Sequence, residues 1–299
     1  MKHYLKQIVV FSLLFFLIDK CFYFQLSHKA DQEFDKRLEY VLNGIMSKEL
    51  LVLGSSRGVH DVSARMIDSA TSFSAYNLSY RGSNVTFQEF VLSTYLKYNK
   101  APKIVLLVVD DDAEFKEVSS LQFRYDRLYP LQNYNYINNE LVNKGKESVL
   151  SRIFYLARLR HTDIFAKKNE PNEFEELNEL GDNLLSVKNN PNLEFKADIV
   201  AYDRSDEVKS KLESFYKIQE LCKDNGIKLC YIFPPNFKTF NNQFCKRIEE
   251  IVEENAIVKY NTNDEFYLNK ENFRDESHLN KKGAEHFTNE IISFLNKSK

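Results

Sequence analysis

The 299-residue sequence holds only eight glycines and six prolines, too few for collagen-like or Pro-rich architectures. It has four cysteines, Cys21, Cys222, Cys230 and Cys245, and no C-x-x-C spacing. A zinc ribbon and a dithiol redox motif are thereby excluded. Basic residues number 41 against 43 acidic ones, a net charge of −2, and no dense Lys/Arg block occurs, Lys281-Lys282 being the closest approach in the tail. The electrostatic footprint of a nucleic-acid binder is missing, so nucleic acid is excluded as a partner. No internal repeat of about 20–50 residues occurs, which excludes solenoids and propellers. What is abundant is aromatic surface: 24 Phe and 17 Tyr exclude disorder as the main state. The length suits one domain of generous size, or one domain with insertions, and needs no disulfide staples.

The N-terminus reads as a membrane signal. Lys2, His3 and Lys6 precede the apolar run Ile8 to Ile18, and after Asp19-Lys20 the run resumes as Cys21 to Leu26. Counted through Leu26, the stretch would span about 28 Å as a helix. Neither a small-x-small cleavage site nor a lipobox accompanies it. We expect an uncleaved signal anchor over residues 1–27, with the body outside the cytoplasm. A cleaved signal peptide and a hydrophobic first helix of a soluble domain are the alternatives.

Residues 28–49 place Phe34, Leu38, Val41, Leu42 and Ile45 at helical spacing and read as an amphipathic stalk or first helix. Thereafter apolar runs alternate with helical patterns. Strands are expected at 50–53, around 75–78, at 103–110, at 227–233 and at 257–258. Helices are expected at 84–98, 206–224, 241–255 and about 280–296. The continuous β-branched run Lys103 to Asp110 favours a parallel sheet covered on both faces. The alternation predicts an α/β fold: a three-layer sandwich around a mostly parallel sheet. Residues 113–205, rich in Asn, Tyr and charge, read as a helical and loop insertion into a domain spanning 50–299. Within it 154–159 looks helical and 168–198 looks like surface loop.

Open parallel sheets bind ligands beyond the carboxyl ends of their strands. There the sequence places Gly54-Ser55-Ser56-Arg57, then Asn77-Leu-Ser-Tyr-Arg-Gly82, then Asp110-Asp111-Asp112, and, before the last helix, Asp275-Glu-Ser-His278. The set suggests acyl transfer. A serine at a strand-to-helix turn is exposed, and its own amide can face a reacting carbonyl. His278 is the best base, because a carboxylate three residues earlier can hold its Nδ1–H and leave Nε2 for the hydroxyl. Gly82 can bring its amide close to an oxyanion. Arg57 is a candidate for an anionic substrate group. Asp110 and Asp112 allow an alternative, a divalent metal serving a metal-dependent transferase.

These blocks resemble the SGNH/GDSL hydrolase family. Gly54-Ser55-Ser56 matches the first block, with Ser56 at the nucleophile position. Asn77-x-Ser-x-x-Gly82 is similar to the second, Asp275-x-x-His278 to the last, and Leu279-Asn-x-x-Gly283 continues into a C-terminal helix as in the family. The resemblance covers about half the chain, roughly 50–112 and 205–296. A single anchor and a Gly-Ser-Ser start are similar to the branch acting on cell-envelope polymers, in alginate O-acetylation and teichoic acid D-alanylation. The resemblance implies a serine esterase or O-acyltransferase acting on an acylated envelope glycan. Ser56, His278 and Asp275 would be catalytic, Ser56 and Gly82 would form the oxyanion hole with Asn77 as a further candidate, and no cofactor would be needed. It also allows a membrane acyltransferase partner. A non-catalytic envelope assembly factor of the same fold is the alternative. The third block departs from the family: Asp110-Asp111-Asp112 stands where an Asn usually completes the oxyanion hole, and an ionised Asp would repel an oxyanion.

Overall fold

The computed structural model describes residues 2–26, 35–159, 175–186, 190–198, 201–252 and 256–297. Three-to-six-residue, mostly apolar runs make the strands, and helices with their own apolar period separate them. In chain order the elements are α1 (Lys2–Leu26), α2 (Arg37–Leu42), β1 (Leu50–Leu53), α3 (Ser56–Asp61), α4 (Ala64–Ala70), β2 (Ala75–Asn77), α5 (Val85–Tyr98), β3 (Ile104–Val108), α6 (Asn135–Asn143), α7 (Lys209–Asp224), β4 (Lys228–Phe233), α8 (Asn242–Ile251), β5 (Ala256–Lys259) and α9 (Lys281–Lys297). The strands form one parallel sheet in the order β2-β1-β3-β4-β5. The order reverses direction between β1 and β3, which makes the carboxyl ends of those two strands the topological switch point.

Side chains alternate across a sheet, so each strand feeds two cores. Leu50, Val52, Leu106, Val108, Cys230 and Ile232 join Ile67 of α4 and Phe287, Ile291 and Leu295 of α9 in one buried cluster. On the alternate positions, Tyr231 stacks on Phe215 of α7 with centroids 5.4 Å apart. Helix α5 packs against α2 and α7, whereas α9 packs against α3 and α4. Such two-sided burial explains why the strands read as unbroken apolar runs rather than alternating ones.

The chain divides into two compact units. One comprises Met1–Lys36 and Arg124–Pro171, the other Arg37–Phe123 and Asn172–Lys299. The expected insertion at 113–205 is therefore not one piece: only 124–171 leaves the sheet unit. The expected stalk at 28–49 contains a helix of six residues, which ends in a turn at Asn43-Gly44, and Leu38, Val41 and Met46 are buried. The remainder of that expectation, at 28–34, lies outside the described residues, as does residue 27 of the expected anchor. The expected surface loop at 168–198 also needs correcting where it is described. Asp182 is buried and accepts from Ser63 Oγ and the Arg65 amide, while Arg37 donates to the carbonyls of Asn77, Ser79 and Gly181. This strap of 178–185 escaped the hydrophobicity pattern because hydrogen bonds, not apolar residues, seat it.

Helix α1 is long and apolar enough to cross a membrane over Lys2–Phe24. Its one internal acid, Asp19, is fully buried within the first unit. The four cysteines are all free: Cys21 is exposed, whereas Cys222, Cys230 and Cys245 are buried thiols raised well above the usual range by burial.

Candidate active site

Ser55 caps α3, its Oγ accepting from the Arg57 amide and donating to Asp110 Oδ1 at 2.5 Å. That bond ties the carboxyl end of β1 to that of β3 and occupies the Ser55 hydroxyl. Ser56, the next residue, is the first of the helix, and its hydroxyl is left for other work. Glycine at position 58 lets α3 lie directly on the loop after β2, because a Cβ there would sit 2.2 Å from Ser79 Oγ. The same loop is pinned to the turn at 54–56 by Tyr80 N and Ser83 Oγ, both donating to the Gly54 carbonyl.

From the far end of the chain, the turn 275–279 arrives beside Ser56. The Ser56 hydroxyl donates to His278 Nε2 at 2.8 Å, and His278 Nδ1 donates to Asp275 Oδ1 and Oδ2 at 2.9 and 3.0 Å. Asp275 Oδ1 also accepts the amides of Ser277 and His278, so the turn that orients the carboxylate is built by the carboxylate itself. Burial works against ionised Asp275, but the His278 contact and the two amides outweigh it and hold the carboxyl well below the usual range. Burial likewise opposes charge on His278. The Asp275 hydrogen bond and the nearby carboxylate of Asp61 reverse the balance, and its pKa is raised.

Neither the Ser56 nor the Gly82 amide donates to a protein acceptor among the described residues. Gly82 has φ +67°, a left-handed conformation that favours glycine. Two free amides in the two loops flanking a serine are the donors an oxyanion requires. Asn77 is different. Its amide nitrogen donates to the carbonyls of Gly58 and Val62 at 2.7 and 3.1 Å, so both protons are already used in holding α3. We therefore remove it from the oxyanion set.

Arg57 also needs correcting. Its guanidinium is buried, donates to the Pro234 carbonyl and lies 3.8 Å from Asp61 Oδ2, so it clamps the sheet end rather than offering charge to a ligand. The three acids after β3 do not converge on a common point. Asp110 accepts from Ser55, Asp111 from Asn236 and Lys238, and Asp112 lies 3.9 Å from the ammonium groups of Lys116 and Lys238. Hydroxyl, amide and ammonium groups thus occupy the positions a divalent ion would take. Among the described residues, one carboxylate–histidine group has ligand-like geometry, Asp264, His286 and Glu290. Each has a local duty: Asp264 caps the Phe266 amide, Glu290 accepts from Asn261 N and Tyr267 OH, and His286 stacks on Phe266.

Two residues beside the site were not expected there from the sequence, where His60 reads as structural or surface. His60 and Asp61 follow Ser56 on the same short helix. His60 lies edge-on to His278, with ring centroids 5.7 Å apart, and Nδ1 donates to the Asn183 carbonyl. Burial pushes its pKa down to about 3, so it is neutral. Asp61 is fully buried, its Oδ1 accepts the Leu279 amide at 2.9 Å, and burial raises its pKa to about 7. The signal that could have found them is their position four and five residues after Ser56, one helical turn on.

A cavity of about 220 Å³ lies among residues that follow β4 and β5. Phe195, Phe240, Tyr260, Tyr267, Asn236 and Lys238 are among its lining residues. Phe237, between Asn236 and Lys238, donates its amide to the Glu276 carbonyl in the turn that carries Asp275 and His278. No protein-family model matches the chain, and no curated protein is detectably similar to it.

Proposed function

We propose that the protein is a serine-dependent acyl-ester enzyme of the SGNH hydrolase-like kind, with its sheet and two helix groups arranged as a three-layer sandwich. The observation that carries the reading is the hydrogen-bonded series Asp275–His278–Ser56. In this reading His278 Nε2 takes the proton of the Ser56 hydroxyl as Oγ attacks an acyl carbonyl. The amides of Ser56 and Gly82 bind the oxyanion, and Asp275 stabilises the imidazolium. His278 then returns the proton to the departing alcohol, leaving the acyl group on Ser56. Water or a sugar hydroxyl next attacks that ester, giving its proton to His278, and Ser56 is regenerated. The esterase and the O-acyltransferase differ only in this acceptor. No cofactor enters any step.

The substrate we infer is an acylated glycan of the cell envelope, met outside the cytoplasm by a domain tethered through α1. Aromatic residues mixed with Asn and Lys in the cavity after β4 and β5 suit sugar rings, whose C–H faces pack on aromatic surfaces while their hydroxyls need polar partners. The test is turnover of acetyl esters of a model sugar. Activity should vanish in Ser56→Ala and in His278→Ala. Turnover unchanged in both would sink the reading.

A second reading is an assembly factor of the same fold that docks a membrane acyltransferase. It is favoured by the separate unit that Arg124–Pro171 forms with the N-terminal helix. It predicts no covalent chemistry at Ser56 and loss of partner co-purification when 124–171 is deleted.

A further inference from the structure

We propose that residues 149–154 form a lipid-embedded seat beside α1, entering the same membrane leaflet as the C-terminal half of that helix. The proposal rests on the reading of α1 as a membrane anchor, and needs neither the catalytic reading nor a choice of which side the body occupies.

The contacts run along one stretch of α1. Phe15 meets Phe154 edge-on at 5.5 Å, and Tyr23 meets Tyr155 at 5.3 Å. Between them Asp19 Oδ1 accepts the Leu156 amide at 2.8 Å, and Lys20 Nζ donates to the Ile153 carbonyl at 2.8 Å and to Asp19 at 3.1 Å. Phe15 to Tyr23 covers about 12 Å of helix axis. In a span of Lys2–Phe24, that stretch is the half nearer the body. The two charged residues that interrupt the apolar run thus have a purpose. They hold the 153–156 segment against the helix at membrane depth.

Backbone entering lipid must satisfy its own polar groups. This segment does so. Ile153 and Phe154 both donate to the Leu150 carbonyl, Ala157 donates to Phe154 and Leu159 to Leu156. The Leu156 amide and the Ile153 carbonyl are taken by Asp19 and Lys20. Ser151 O receives Arg158 Nε and Asn138 Nδ2, so the turn is fixed from behind. Outward it presents Val149, Leu150 and Ile153, which are 66%, 58% and 57% exposed. Three large aliphatic side chains within five positions are thus open in the segment that Phe15, Asp19 and Lys20 hold, and Phe11, Leu14, Phe15 and Ile18 of α1 are open too. The occupant that fits both surfaces at once is the acyl and glycerol region of a phospholipid leaflet. Arg152, the sole charge from 149 to 157, is long enough to reach the phosphate layer.

The chain contains no tryptophan, so a single introduced indole reports without background. The full-length protein would carry Leu150→Trp in phosphatidylcholine–phosphatidylglycerol vesicles containing lipids brominated on the acyl chain near the glycerol. Phe16→Trp on α1 and Tyr216→Trp on α7 would be the embedded and aqueous references. We expect Leu150→Trp to emit blue-shifted from Tyr216→Trp and to lose most of its emission to the brominated lipid, as Phe16→Trp does. Quenching of Phe16→Trp alone would overturn the proposal. Water-like emission at 150 would then mean an open face, and blue-shifted but unquenched emission a face covered by protein, such as a second copy of the chain. An unquenched Phe16→Trp would remove the anchor reading and the seat together.

Discussion

Asp61 Oδ1 accepts the Leu279 amide at 2.9 Å, so the last residue of the helix that begins with Ser56 holds the residue that follows His278. One six-residue helix therefore fixes both ends of the Ser56–His278 hydrogen bond. Asp61 also places a carboxylate near the imidazole, where it favours the charged form.

Asp61→Asn keeps an acceptor for Leu279 and deletes the charge. The pH profile of serine acylation should shift to lower pH, because His278 loses a neighbour that raises its pKa. Asp61→Ala should in addition slow acylation at every pH, since the turn loses its tether. A profile unmoved by Asn would mean that Asp61 acts through structure alone.

On the proposed mechanism, acylation of the wild type needs neutral His278. Its raised pKa places the half-maximal rate above the ordinary histidine value of about 6.5, with the rate rising as pH rises. Asp275→Asn should lower that midpoint and cut the rate by about 10²–10⁴-fold, as the imidazole loses the partner that fixes its tautomer. Stopped-flow acylation across pH 5–9 tests both statements.

Gly58→Ala should destabilise the sheet unit by about 1–3 kcal/mol, because the new methyl meets Ser79 Oγ and Cβ at 2.2 and 2.7 Å. Ser79→Ala removes the nearer atom and should recover part of the loss in urea melts. A neutral Gly58→Ala would show that α3 can lift off the loop at no cost.

Glu114 and Asp110 are buried acids that burial raises, and the charge of Asp110 adds to burial in pushing Glu114 up to about 8. Both retain protons that the unfolded chain releases, so they make the fold less stable as pH rises. Asp61, raised to about 7, and His278 act in the same direction. His60 opposes this only between about 3 and 6.5, where the unfolded chain still binds its proton. The melting temperature should therefore fall from pH 6.5 to 8, and Glu114→Gln should flatten the fall. A melting temperature that rises across that window would contradict the assignment.

Much of the sheet unit was legible because burial on both faces writes strands as apolar runs, as in Ile104–Val108 and Lys228–Phe233, and α5, α7 and α9 keep a clear helical period. The pairing of Asp275 with His278 was legible because both lie in one turn. The roles of Arg57, Asn77 and Asp110 were not, since each is decided by a carbonyl or hydroxyl distant in the chain: Pro234, Gly58 and Ser55. The strap at 178–185 stayed hidden for the same reason. Its seat is made by the Arg37 guanidinium and by Ser63, which no local pattern announces.

The proposed function stands on Ser56 being an activated nucleophile. Its most direct test is intact-mass analysis of the full-length protein in detergent after treatment with a serine-reactive phosphonate, alongside Ser56→Ala and Ser55→Ala. One adduct is expected on the wild type and on a folded Ser55→Ala, and none on Ser56→Ala. A folded wild type that takes up no phosphonate, or an adduct that persists in Ser56→Ala, would contradict it.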